Sequence, residues 1–261
     1  MFDLFLILTP LLLLPIVALL AFLGCYQDVT LTPATLTHVQ TVVQSAAAGA
    51  NTVTADPLTL QGGEFIVVAV QWSSAISVPS MPELSETSLG AQIHFSGVSG
   101  GGPFAWYAID SLHNMMVQIF SAVNPAGNSQ FQVKASLLQA STVPWNLCVS
   151  AYAGVSEAAP LSSPQTSRLN YLGNNPQTPP ISFGTGALVY AVGFAADSNG
   201  TFPGNNPLTA GTGFTTEFPA STNPLVEDSA GTSPVTAQVT NANSDPNAKG
   251  FIFAMVLNPA T

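Results

Sequence analysis

The chain carries the same strand signal twice. Gly63-Glu64-Phe65-Ile66-Val67-Val68-Ala69-Val70 returns in looser form as Gly186-Ala187-Leu188-Val189-Tyr190-Ala191-Val192. Each copy opens on a turn residue and continues through β-branched and aromatic residues, too short for a stable helix and suited to a buried strand. Apolar side chains at both alternating sets of positions call for cover on both faces of such a strand. The recurrence predicts two related halves in one β-structure, about residues 39–155 and 183–258.

Short strand patterns bounded by Gly, Pro and Asn turns fill the chain between and around these copies. Candidate strands are Val29–Leu31, His38–Val43, Asn51–Thr54, Ala91–Phe95, Phe104–Ile109, Met115–Phe120, Gln130–Leu138 and Trp145–Tyr152. In the second half they are Ala187–Phe194, Gly213–Phe218, Val235–Val239 and Phe251–Leu257, with 156–182 read as a linker or long crossover. No segment past Cys25 sustains a 3.6-residue period. The expected class is all-β: a two-sheet antiparallel sandwich, jelly-roll-like, with pseudo-duplicated halves that could contribute alternate strands to a shared core. Residues 26–261 read as a single domain.

One hydrophobic helix is expected ahead of it, in residues 1–25. Leu4 to Leu23 contains no charge, and roughly 20 residues at about 1.5 Å each span about 30 Å, the hydrocarbon thickness of a bilayer. Pro10 and Pro15 are tolerable kinks in lipid. The run ends in Ala21-Phe22-Leu23-Gly24-Cys25, similar to a bacterial lipoprotein signal, which makes Cys25 a lipidation candidate. Phe22 stands where that motif wants Leu or a similar aliphatic, and the leader Met1-Phe2-Asp3, without Lys or Arg, departs from an ordinary export signal. Residues 4–23 are therefore an uncleaved membrane anchor, a cleaved or lipoprotein-like signal, or a buried core or assembly segment. With no basic flank, the sequence assigns no orientation.

Charge narrows the classes of partner. Lys134, Arg168 and Lys249 stand against thirteen carboxylates, for a net charge of −10, so there is no electrostatic footprint for nucleic acid. Two cysteines, Cys25 and Cys148, make no disulfide framework and no zinc spacing; Cys148 reads as a buried thiol. His38, His94 and His113 lie in separate segments, and neither a Gly-x-Ser-x-Gly elbow nor a His-Glu-x-x-His helix is present. No enzyme, catalytic residue or cofactor is expected. Glu83 with Glu86 and Glu227 with Asp228 are the close carboxylate pairs, read as solvated loop charges or turn caps. Asp197-Ser198-Asn199-Gly200 reads as an Asn-Gly turn rather than a Ca²⁺ loop. Trp72, Trp106, Tyr107 and Trp145 are the candidate ligand-binding residues, for a glycan that stacks on aromatic faces, although each sits in or beside a strand where core packing is the commoner fate.

Several of these stretches, taken in order, carry a resemblance: Val39-Gln40 through Asn51-Thr52-Val53-Thr54, Gly63–Trp72, Trp106-Tyr107-Ala108, Ala151–Val155 with Pro160-Leu161, Gly211–Thr215, Glu227-Asp228 and Phe251–Leu257. Together they resemble a family of uncharacterised bacterial extracellular β-sandwich domains, often attached to anchors or other secreted modules. The stretch Ser77–Gly102 departs from that pattern. The resemblance implies export and a sandwich fold, and it carries no catalytic residues. The expected role is that of a noncatalytic cell-surface or secreted protein in adhesion, structure or ligand binding. The alternatives are a subunit of an extracellular filament or virus-like shell, self-associating through its apolar N-terminus, and a carbohydrate-binding module.

Overall fold

The computed structural model describes residues 35–74, 82–87, 95–98, 104–108, 114–123, 127–171, 176–196, 208–218, 224–241 and 249–260. The apolar segment 4–23, Cys25 and the strand expected at Val29–Leu31 lie outside them. Among the described residues no helix is long and apolar enough to cross a membrane.

The described residues are all β. In chain order the first part forms β1 (Thr37–Ala46), β2 (Thr52–Thr54), β3 (Leu58–Leu60), β4 (Phe65–Ser74), β5 (Glu83–Glu86), β6 (Ser96–Gly97), β7 (Phe104–Ala108), β8 (Asn114–Val123), β9 (Asn128–Phe131), β10 (Val133–Ser136) and β11 (Trp145–Ala153). The second part forms β12 (Leu161–Tyr171), β13 (Leu188–Ala196), β14 (Leu208–Thr209), β15 (Thr215–Thr216), β16 (Leu225–Ser229), β17 (Thr240–Asn241) and β18 (Lys249–Leu257).

Two large antiparallel sheets organise the unit. One runs β1-β11-β4-β8-β6, with β7 also on β8; the other runs β12-β18-β13-β16-β15. In each, the four long strands follow the same spatial order: first, fourth, second, third. The halves do not alternate strands in a common sheet, because each large sheet is drawn from one part of the chain alone. The central strands β4 and β13 are the two copies of the recurring signal. Each starts after a glycine with positive φ, Gly63 at 84° and Gly186 at 77°, a region in which L side chains are strained. Glu64 fastens the first of these turns, its carboxylate accepting the Gln61 N–H at 2.5 Å and the Gly62 N–H at 2.8 Å.

The apolar runs are explained by cover on both faces. Phe65, Val67, Ala69, Cys148 and Tyr152 from one large sheet share a core with Tyr190, Val192, Phe194, Phe253 and Met255 from the other. On its far face the first sheet packs Ile66, Val68, Val70, Leu147 and Val149 against Leu58, Phe131 and Val133 of the small sheets β3-β9 and β2-β10-β5. The second sheet buries Val189, Ala191, Ile252 and Ala254 under Ile181, Leu208, Ala237 and Val239. Segment 176–181 is bridged there to 235–238 by Ile181↔Val235 and Gln177↔Gln238. Val235–Val239, expected as a strand, is thus part of this cover.

Two further expectations change. The stretch 156–182 is not a linker throughout: Leu161–Tyr171 is an eleven-residue strand. Pro164 and a polar sequence hid it, yet among the described residues β12 pairs with β18 alone, and its register shifts between Ser162 and Thr166, around the proline. An edge strand with an irregularity is where a sheet accepts proline. The Gln130–Leu138 strand divides into β9 and β10, which serve different small sheets.

Register is pinned by polar rungs on the inner face. Ser45 Oγ donates to Asn146 Oδ1 at 2.7 Å, and Asn146 Nδ2 donates to Gln71 Oε1 at 2.7 Å, linking β1, β11 and β4 at directly paired positions. A one-residue slip would send this ladder to the opposite face.

Candidate functional site

Most of the ionisable side chains that the fold brings together lie between the two large sheets, where β1 and β11 face β16. Strand pairing puts them there. Glu217, just past β15, donates its N–H to Val226 O at 2.9 Å and so lies opposite Val226, whose side chain faces the shared core. Residues opposite each other on paired strands share a face, and so do residues two apart on one strand. Glu217 and Asp228 therefore both point inward.

From the other sheet, His38 and Tyr152 meet them. His38 Nδ1 lies 2.6 Å from Glu217 Oε2, with 17% and 15% of the two side chains exposed. His38 Nε2 is 2.8 Å from Thr41 Oγ1, which donates to Ser150 Oγ at 2.9 Å. The β-bulge between His38 and Gln40 re-aims the start of β1 so that the imidazole reaches across. Tyr152 stands edge-on to His38 at 5.3 Å and to Tyr190 at 5.9 Å between ring centroids.

Burial dominates the electrostatics of this seam. Asp228 is raised from 3.8 to about 7, first by burial, then by the charge of Glu217 and a hydrogen bond with it, against the lowering effect of the Tyr152 hydroxyl. Burial pushes His38 below its usual value, opposed by the Glu217 charge. Tyr152 and Tyr190 are pushed well up, burial first, and stay neutral phenols. Tyr152 OH, Tyr190 OH and Asp228 Oδ2 are buried without a hydrogen bond of normal geometry.

Glu227 lies one residue away on the opposite face of β16, fully buried. Its Oε2 accepts the Gly211 N–H at 2.8 Å. Burial raises it from 4.5 to about 7, against the lowering effect of the Gly211 and Gln238 N–H groups. The Glu227-Asp228 pair is thus a pair of strand residues with buried carboxyls, correcting the reading as solvated loop charges. Glu83 and Glu86 lie in β5, the first exposed and the second half-buried.

A consequence for stability follows. Both carboxyls hold their protons longer when folded than when unfolded, so the folded state binds more protons between about pH 4 and 7. Their contribution is full below about pH 4 and is lost as pH rises through 7. His38, lowered on folding, works the other way below its unfolded value but is one group against two. Thermal unfolding should therefore occur at lower temperature at pH 8 than at pH 5. Glu227→Gln should remove part of that slope, raising stability by roughly 2 kcal/mol more at pH 8 than at pH 4; an unchanged slope would refute the assignment.

The aromatic candidates separate. Trp72 is 2% exposed and Trp145 fully buried, and the Trp145 indole N–H donates to Ala50 O at 3.0 Å. Neither ring offers a face to a sugar, because both fill the outer core of the first sheet. Trp106 and Tyr107 lie in β7, described by its backbone alone. Cys148 is a free, buried thiol. Cys25, His94, His113 and Asp197–Gly200 lie outside the described residues. Among the described residues no His, Cys, Asp and Glu side chains group in threes to hold a metal ion.

Two open grooves adjoin at Gly231. One, of about 480 Å³, is lined by Leu36, Phe183, Thr185 and Leu188 among others; the second, of about 430 Å³, by Gln177, Thr178, Thr212, Thr232 and Gln238. Neither is lined by a charged residue or by any member of the buried seam. The sequence of contacts Glu217–His38–Thr41 has the connectivity of a hydrolase triad, but a triad also needs donors aimed at a developing oxyanion and room for an acyl group. Here Thr41 Oγ1 is spent on Ser150. No protein-family model matches the chain and no curated protein matches it, so the reading of this site rests on its geometry.

Proposed function

We propose that the chain is a noncatalytic, jelly-roll-like β-sandwich displayed outside the cell, with residues 4–23 as its membrane anchor and an adhesive, structural or ligand-binding role. The observation that carries this reading is where the chemistry-bearing side chains go. His38, Glu217 and Asp228 join one sheet to the other, while the two grooves at Gly231 present hydroxyl, amide and apolar groups. Ionisable groups spent on holding layers together belong to a scaffold. The shared core between the inner faces of the large sheets supports a sandwich.

Intact mass of the protein from its native host, combined with membrane fractionation, tests the display. A full-length chain that fractionates with lipid is the expected result. Loss of residues 1–24 with a diacylglycerol-sized mass on Cys25 would replace the anchor by a lipid. Full-length chains pelleting as lipid-free particles would overturn the anchor and support a self-assembling shell or filament subunit.

A further inference from the structure

The seam between the sheets has an unusual content for a core. Asp228 and Glu217 come from the second sheet onto one inner face, and His38, Ser150 and Tyr152 come from the first, with Tyr190 of β13 beside Tyr152. Cys148 lies beside Tyr190, and the charge of Asp228 adds to the raising of Glu227 on the opposite face of β16. None of these neighbours is a Lys or Arg. The imidazole of His38 is held by Glu217, and the Tyr152 hydroxyl adjoins the Asp228 carboxyl without reaching normal hydrogen-bond geometry. Two carboxyls placed so close together in a desolvated seam cannot both ionise without strong repulsion.

We propose that Asp228 and Glu217, with His38, form a proton-operated latch that fastens β1 to β16: closed while Asp228 holds its proton beside Glu217, loosened when Asp228 gives it up. The closed form leaves a single negative charge facing His38. Loss of the Asp228 proton leaves its carboxylate beside that of Glu217, its diagonal neighbour on the same face, and separating β1 from β16 lets water reach them. The elements joined are those easiest to part. Within its sheet β1 is an edge strand held by β11, and β15 pairs with β16 over two residues. By contrast β4 and β18 are each paired over long stretches on both sides, whereas β16 is so paired with β13 alone, so opening is confined to the seam while the central strands stay closed.

Amide hydrogen exchange of the full-length chain in nonionic detergent, corrected for intrinsic rates, tests the latch at pH 5 and pH 8. Protection in β1 and β16 should fall at least tenfold at pH 8, while β4 and β18 change less than twofold. Asp228→Asn and, separately, Glu217→Gln should abolish that fall, and Glu227→Gln, which removes only the carboxyl on the opposite face, should leave most of it. Equal protection at both pH values, or a fall that persists in both latch variants, would overturn the proposal. If the variants do not fold, carboxyl ¹³C titration of the unaltered protein decides: a midpoint near 7 for Asp228 supports the latch, and one below 5 refutes it.

Discussion

Trp145→Ala is expected to lower the unfolding free energy by about 3–5 kcal/mol, the range for removing a fully buried large aromatic. Two losses combine. The indole occupies the outer core of the first sheet beside Leu58, Phe131 and Leu147, where neighbouring strands cannot collapse into the space. Its N–H also satisfies the carbonyl of Ala50, in the turn that connects β1 to β2. Trp145→Phe keeps most of the volume and loses the hydrogen bond, so it should cost less, roughly 1–2 kcal/mol. Urea unfolding followed by near-ultraviolet circular dichroism separates the two. A cost below about 1 kcal/mol for the alanine variant would mean that the ring is not packed as described.

Gly154→Ala should be nearly as damaging, for a backbone reason. Gly154 has φ of +76°, and a Cβ there would lie 2.6 Å from the carbonyl oxygen of Thr35, a main-chain atom that cannot rotate aside. Its own carbonyl accepts the Ala260 N–H at 2.8 Å, and the next residues continue the pairing through Val155↔Pro259 and Ser156 N–H to Asn258 O at 2.9 Å. Here the segments that leave the two large sheets are tied together. The expected cost is roughly 2–4 kcal/mol, combining left-handed strain with displacement of the tie. Gly49→Ala is the control: φ is +84° there but the space around a Cβ is open, so about 1 kcal/mol of strain alone is expected. Equal losses in the two variants would show that the contact with Thr35 is unimportant.

The contrast between legible and hidden elements follows burial. β4, β11, β13 and β18 are predominantly apolar on both alternating sets of positions because both faces are covered, and such runs announce themselves in sequence. β12 and β16 do not. The first is an edge strand with Pro164 and mixed polarity; the second has Glu227 and Asp228 in its middle, and consecutive carboxylates read as solvent-facing until the strand that buries them is known. The seam was invisible for the same reason. His38 and Glu217 are 179 positions apart in sequence, and nothing in either local pattern signals that one carboxylate will sit on the other's imidazole. Trp72 and Trp145 show the opposite case: aromatic residues in strands can serve a platform or, more commonly, a core, and only the covering layer decides between them.

What the sequence determined by itself is the class of structure and its central strands, because turn glycines and β-branched runs act over a few residues and need no partner to be read. Strand order, the drawing of each large sheet from one part of the chain, and the meeting of His38, Glu217, Asp228 and Tyr152 were decided by the tertiary structure. Those outcomes depend on which faces come together, and the ionisation of a carboxyl depends on the water that such a meeting excludes.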